Sequence, residues 1–334
     1  MLERVKLGNT GLDVNRICLG GGSFGGSTAP ELVINQLDYF RSLGGIFLDT
    51  ALVYCDWLKI ERSSSEKLIG KWFRERGCRH EFTLSAKGCH AKIITPTGNM
   101  LTCPKTEPQL HRADIIADIE ESLGYLQTDY IDIFTLHNDN ETVEVGEILE
   151  TLEEQKKRGV IRAYGCSNWR VVRQREAYDY AKAHGLSGFI TDQISWCLNV
   201  FAEGANGLRS DAYMDDRAYA FHRETQIPVM AYAANGRAYF HRLANGMEVP
   251  EHEHREYDCP TNQALLEVLK EAARETGAEV NTIVIKYLLL EHGFQVIPTV
   301  GIKTPRELDI CLAALHYDLP QEYEDRIRAL RPLG

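Results

Sequence analysis

The 334-residue chain predicts an α/β fold: a single (β/α)8 TIM barrel with an N-terminal hairpin and extra C-terminal helices. Three observations carry that prediction. Eight short apolar runs alternate with eight amphipathic helical stretches. Several runs are β-branched and apolar nearly throughout, as parallel strands covered on both faces must be. No repeat or low-complexity linker divides the chain, so residues 1–334 read as one barrel domain with insertions.

The elements follow in order. Residues 7–14 read as a hairpin turning at Asn9-Thr10-Gly11, placed to plug the bottom of a barrel. The eight strands are 17–20, 46–49, 82–86, 131–136, 161–165, 189–193, 227–232 and 295–298. The helix over 31–43 follows Pro30, and that over 65–74 begins with a capping serine. Residues 113–126 carry Ile115, Ile116, Ile119, Leu123 and Leu126 on one face. The helices over 145–158 and 171–184 are each stopped by a glycine, Gly159 and Gly185. Helices over 211–224, 262–277 and 281–291 complete the alternation, and two more, 305–315 and 321–330, follow the last strand. The long connections 88–112 and 233–260 both follow strands. They fall on the barrel face where active sites form, so they read as lids or pocket walls.

Composition narrows the function classes. A formal net charge of −11 argues against a nucleic-acid binder, which needs a basic face to displace counterions. No apolar run reaches the roughly 18 residues of a membrane span. The start, Met1-Leu2-Glu3-Arg4, is charged where a signal peptide is apolar, and the chain reads as a mature cytoplasmic protein. Nine cysteines, an odd and irregular set without a CxxC, argue for reduced thiols. Cys89, His90, Cys103 and His111 share one long loop, but their spacing fits no zinc motif, and no metal is expected. His252-Glu253-His254 reads as a solvated loop, and Cys55 as packing unless exposed, when it would be redox-sensitive.

The chemistry lies in the polar residues at strand ends. In a barrel those ends converge on one mouth. Asp49, Lys87, His137, Gln193 and Tyr232 stand at the ends of strands two, three, four, six and seven. Ser167 and Asn168 follow strand five, and Tyr54 lies in the loop after Asp49. Each has a plain structural use: an aspartate caps the next helix, a lysine is solvated, a tyrosine packs. Their coincidence on one face argues otherwise, because burying them unpaired is costly. Lys87 beside Tyr54 would favour phenolate and make the phenol a stronger acid. Asp49 would hold the ammonium, and His137 would bond a substrate oxygen or relay a proton. The set makes a general acid poised where negative charge develops on an oxygen. With no nucleophile or metal ligands evident, it needs an external reductant such as a nicotinamide hydride.

These residues resemble the aldo-keto reductase family, over nearly the whole chain. The resemblance rests on Leu7-Gly8-Asn9-Thr10-Gly11-Leu12 and Gly20-Gly21-Gly22-Ser23-Phe24-Gly25. Its most specific stretch is Phe47-Leu48-Asp49-Thr50-Ala51 with Tyr54, followed by Ser65-Glu66-Lys67-Leu68-Ile69-Gly70. Thr128-Asp129-Tyr130-Ile131-Asp132 leading to Leu136-His137, and Gly159 through Ser167-Asn168, are similar to the signatures of the fourth and fifth strands. The resemblance implies an Asp49–Tyr54–Lys87–His137 tetrad. It implies a nicotinamide carboxamide held by Ser167, Asn168 and Gln193, with Tyr232 stacked on the ring. Gly22, Ser23 and Arg237 join the expected cofactor contacts, and Gly301, Lys303 and Glu307 lie in a stretch similar to the family's phosphate-binding loop. Lys303, with Arg306 near it in sequence, favours NADPH over NADH, although Glu307 would repel a phosphate if it faced the same way.

The chain departs from the family pattern with Cys55 after the tyrosine, Ala233-Ala234-Asn235 after Tyr232, and Ile310-Cys311 where an adenine-contacting Glu-Asn pair is usual. Trp57, Trp169 and Trp196, just past strand ends, suit either plain packing or walls for a sugar or aromatic carbonyl. Asp192-Gln193-Ile194-Ser195-Trp196 is similar to family members associated with sugar-type carbonyls. The expected function is NAD(P)H-dependent reduction of an aldehyde or ketone, possible sugar-type carbonyls included, to the alcohol. Two alternatives stand beside it. One is a nicotinamide-binding sensor or partner-binding module with little turnover. The other is a lyase using Lys87 as a Schiff-base amine, which the neighbouring Asp49 disfavours by keeping that amine charged. The expected partner is a small carbonyl substrate, with no nucleic acid or membrane; a homo-oligomer is compatible with the sequence.

Overall fold

In the computed structural model, which describes residues 1–100, 103–205 and 212–332, the chain opens with an antiparallel pair, β1 (Arg4–Lys6) and β2 (Asp13–Asn15). Its turn is held by Thr10, whose hydroxyl donates to Leu7 O and accepts from Leu12 N; Gly11 supplies a φ of +76°. Asn15 ties the hairpin down: Oδ1 accepts from Ile46 N at 2.6 Å and Nδ2 donates to Gly44 O. The Thr83 hydroxyl donates to Asp13 O. These residues lead into β4 (Phe47–Ala51) and open β5 (Thr83–Gly88), so the hairpin meets strand N-termini, where a bottom plug belongs.

The remaining strands are β3 (Cys18–Gly20), β6 (Ile131–Leu136), β7 (Ile161–Ser167), β8 (Asp192–Ser195), β9 (Val229–Tyr232) and β10 (Val296–Val300). They close a parallel barrel in the order β10-β3-β4-β5-β6-β7-β8-β9. All six residues of β5 and of β6 are buried, the polar Thr83, Ser85 and Lys87 that alternate along β5 included. Several strand ends differ from expectation: β4 runs on to Ala51, β5 to Gly88 and β10 to Val300, and β9 starts at Val229. β7 runs on through Ser167, and β8 covers Asp192–Ser195 rather than 189–193, with Phe189 in edge contact with Tyr164 and Trp169.

The helices are α1 (Pro30–Ser42), α2 (Ser64–Arg76), α3 (Arg112–Leu126), α4 (Val145–Lys157), α5 (Val171–His184), α6 (Asp216–Thr225), α7 (Tyr239–Ala244), α8 (Glu251–Tyr257), α9 (Pro260–Thr276), α10 (Val280–Leu289), α11 (Pro305–Ala313) and α12 (Gln321–Leu330). Ser65 does not cap α2 as the sequence suggests. Ser63 precedes that helix in a left-handed conformation, and Ser65 Oγ is 2.8 Å from Thr50 Oγ1 instead. The expected start of α6 at Asp211 lies outside the described residues; the helix begins at Asp216, capped by Asp215 Oδ1 on Ala218 N. The connection 233–260 is no loop: it contains α7 and α8, and His252-Glu253-His254 lies on α8 with Glu253 buried and paired with Arg242 at 2.8 Å. Among the described residues no helix is long and apolar enough to cross a membrane.

Contacts gather into two units. One comprises Met1–Gln193 and Gly301–Pro305; the other is the rest of the chain. In the first, α2 and α3 approach so closely at Gly70 that a Cβ there would lie 2.3 Å from Tyr125 O. One turn earlier on α2, Glu66 is fully buried between the hydroxyls of Ser63 and Ser122. Burial pushes its carboxyl up to about 8, against the two hydroxyl bonds that hold it down. The folded-state value exceeds the unfolded one, so folding incurs no penalty below about pH 4.5. The penalty grows as pH rises to about 8 and then levels at a few kcal/mol. Glu66→Gln should therefore equal the wild type in urea unfolding near pH 5 and exceed it by a few kcal/mol near pH 9. Parallel stability profiles for the two proteins would exclude a protonated Glu66.

Candidate active site

The parallel register of β4 and β5 sets Asp49 opposite Ser85 and Ala51 opposite Lys87. Ser85 and Lys87, two apart on a strand, share a face. Lys87 is 0% and Asp49 2% exposed, and Nζ lies 2.6 Å from Oδ2. The other aspartate oxygen accepts from Ser85 Oγ at 3.1 Å and Gln193 Nε2 at 2.9 Å. A buried carboxylate thus has three donors, the condition under which a buried ion pair is tolerable. Tyr54, half-buried in the turn after β4, hydrogen-bonds with Lys87, whose ammonium sits 4.8 Å from the ring centroid. His137, directly after β6, meets the Tyr54 ring edge-on with centroids 5.8 Å apart. The tetrad expected from the sequence is one contiguous cluster.

The charge states follow from these contacts. Burial pulls the Lys87 ammonium down, but Asp49 and Tyr54 outweigh it and hold its pKa above the usual lysine value. His137 goes the other way: burial, then His90 and Lys87, push it well below the ordinary imidazole range. At neutral pH the site presents a charged ammonium against a phenol, beside a neutral imidazole. That arrangement can stabilise phenolate and hand a proton to an oxygen gaining negative charge.

Ser167, Asn168 and Gln193 join the same cluster. Ser167 Oγ donates to Gln193 O at 2.7 Å; Asn168, at φ +59°, donates from Nδ2 to His137 O and to Ser167 Oγ. Gly22 also lies here: a Cβ on it would be 3.8 Å from the Tyr54 ring. Ser23 Oγ accepts from the Thr28 hydroxyl, and Gly301 and Lys303 are exposed. Within the second unit, Tyr232 ends β9 half-buried, with its carbonyl accepting from Trp196 N. Ala233, Gly236, Arg237 and Ala238 all have positive φ, between 54° and 61°, and the turn is closed by Gly236 N donating to Ala233 O and Ala238 N to Asn235 O. Arg237 itself pairs with Glu256 at 2.9 Å, and exposed Arg306 lies 3.5 Å from Glu279; Glu307 is exposed.

Several open readings are decided by burial. Trp169 and Trp196 are buried, not pocket walls: Trp169 packs against Phe189 and the Arg173 guanidinium, Trp196 among Tyr219, Tyr287, His292 and Phe294. Only Trp57 of the three is half-buried, and its carbonyl anchors the long loop through Gly98 N. Cys55 is 1% exposed against Gly26, and burial raises its pKa, so it is no redox-sensitive thiol. Among the described residues no three His, Cys, Asp or Glu side chains gather to hold a metal. Ser85 was missed by the sequence reading; its place two residues before Lys87 on a strand is the signal that would have found it.

Fold and site together define a closed parallel barrel with a buried Lys87–Asp49 pair beside Tyr54 and His137. Residues 16–332 match the aldo/keto reductase family, and the chain belongs to that family and is an oxidoreductase. It is 32% identical over 200 residues to the oxidoreductase YrpG of Bacillus subtilis (strain 168), covering 59% of each chain. It is 26% identical to norsolorinic acid reductase stcV of Emericella nidulans, covering 96% of this chain and 79% of that protein. The thermostable aldo-keto reductase Tm1743, crystallised with epalrestat, shares the fold at a TM-score of 0.70 and 21% identity, covering 98% of this chain and all of that one.

Proposed function

We propose that the protein reduces an aldehyde or ketone to the alcohol with NAD(P)H, using Tyr54 as general acid. The observation that carries this reading is Lys87, wholly buried, held by Asp49 at 2.6 Å and bonded to Tyr54. An ammonium so placed lowers the cost of leaving a phenolate behind when the proton moves to the substrate oxygen. His137, neutral, orients that oxygen by hydrogen bonding. Ser85 and Gln193 keep Asp49 aimed at Lys87.

The donor set suits a nicotinamide. The Ser167 hydroxyl and the Asn168 and Gln193 amides lie in one hydrogen-bonded cluster with the tetrad, and amides match a ring carboxamide that both donates and accepts. A bound reduced nicotinamide supplies the hydride. In the second unit Tyr232 would offer a ring face, and the Arg237 guanidinium would meet a phosphate oxygen. Gly22, Ser23, Gly301 and Glu307 complete the proposed contacts. Lys303 favours NADPH over NADH through a 2′-phosphate. The substrate is a small carbonyl compound, of sugar type on the sequence similarity around Gln193.

Fluorescence titration with NADPH and NADH, followed by a carbonyl panel with the tighter one, tests this. Tighter NADPH binding and oxidation of NADPH by at least one aldehyde or ketone are expected. Binding with no turnover across the panel would replace the reductase with a cofactor-binding module.

A further inference from the structure

His90 stands three residues after Lys87, in the first turn of the long loop, and its ring meets His137 edge-on with centroids 4.8 Å apart. Its Nδ1 lies 2.6 Å from Ala91 O. A carbonyl oxygen only accepts, so Nδ1 carries the hydrogen and the tautomer is set. Nε2 is then an acceptor, and among the described residues it takes no hydrogen bond. Burial lowers the ring's pKa, so it stays neutral at pH 7. His90 also lines a cavity of about 300 Å³, whose polar lining includes Asp56, Arg62, Lys92 and Asp118.

We infer that Nε2 of His90 accepts a hydrogen bond from a hydroxyl on the carbon next to the reacting carbonyl, so the enzyme selects 2-hydroxy aldehydes and ketones. This rests on the reductase reading, which gives His137 the carbonyl oxygen. A ring in contact with His137 is one substituent away from that oxygen. An acceptor nitrogen demands a donor. On the same cavity Asp56 and Asp118 are matched by Arg62 and Lys92, so the lining selects neither sign of charge and an uncharged donor, a hydroxyl, fits. The family resemblance does not supply this residue, and the sequence alone offered it only as an improbable zinc ligand.

Hydroxyacetone and butanone differ by one hydroxyl in place of one methyl, so their kcat/KM ratio isolates the contact. The wild type should favour hydroxyacetone by about tenfold or more, the worth of one well-made hydrogen bond. His90→Phe, which keeps a ring against His137, should remove most of that preference through KM while butanone turnover stays within about threefold. His90→Gln, which restores an acceptor, should recover part of it. An unchanged ratio in His90→Phe, or equal losses with both ketones, overturns the inference. Saturation-transfer NMR with the products, propane-1,2-diol against butan-2-ol, needs no turnover: transfer to the diol should fall selectively in His90→Phe. If the wild type reduces neither ketone but turns over another carbonyl of the panel, equal diol transfer in both proteins overturns the inference alone; if nothing on the panel is turned over, the reductase reading fails first.

Discussion

Tyr54→Phe should lower kcat/KM for a carbonyl substrate by about a thousandfold, within the 10²–10⁴ typical of a lost general acid. Nicotinamide affinity should stay within about twofold. The substitution removes one hydroxyl and leaves the ring, so the edge contact with His137 and the cation–ring contact with Lys87 survive. What goes is the proton that neutralises the developing alkoxide, an interaction made chiefly in the transition state; kcat therefore falls rather than KM rising. Steady-state rates beside a fluorescence titration separate the two effects. A variant that turns over at wild-type rate would move the acid elsewhere, with His137 the next candidate by distance.

Lys87→Met should cost both activity and stability. The side chain is 0% exposed and supplies the charged partner of an aspartate that is itself 2% exposed. Removing it strands a carboxylate whose remaining donors, Ser85 and Gln193, are neutral. Losing one partner of a buried pair costs about 3–5 kcal/mol. Adding Asp49→Asn removes the stranded charge, so the double variant should regain much of that loss without regaining turnover. Urea unfolding of the four proteins of the cycle gives the coupling. Additive losses would mean that the two side chains do not depend on each other, and the account of Lys87 as a charge held for Tyr54 would fail.

These predictions draw on a site that was legible before the fold was seen, though unevenly. Asp49, Lys87 and His137 stood out because an ionisable residue at the end of an apolar run has no bland use once the run is buried. Ser85 did not stand out, since a serine inside such a run carries no charge to explain. His90 was ambiguous for a different reason. A histidine in a long loop is defined by what its two nitrogens meet, and a carbonyl one residue away settled the tautomer only in three dimensions. The tryptophans stayed open between packing and pocket wall because position past a strand end does not say which way a side chain turns, and Trp169 and Trp196 turned into packing.

By itself the sequence determined the barrel, the hairpin before it and the set of polar groups at strand ends. Short apolar runs, glycine stops and the need to pair buried charges are local rules, readable from spacing. Tertiary structure alone decided which partner each polar atom took. Gln193 reaches Asp49 across 144 residues of chain, Ser122 reaches Glu66 across 56, and the expected loop 233–260 became two helices. Those outcomes depend on distances between strands and helices that are far apart in sequence. A pKa, a tautomer or an accessible face has no value until those distances are fixed.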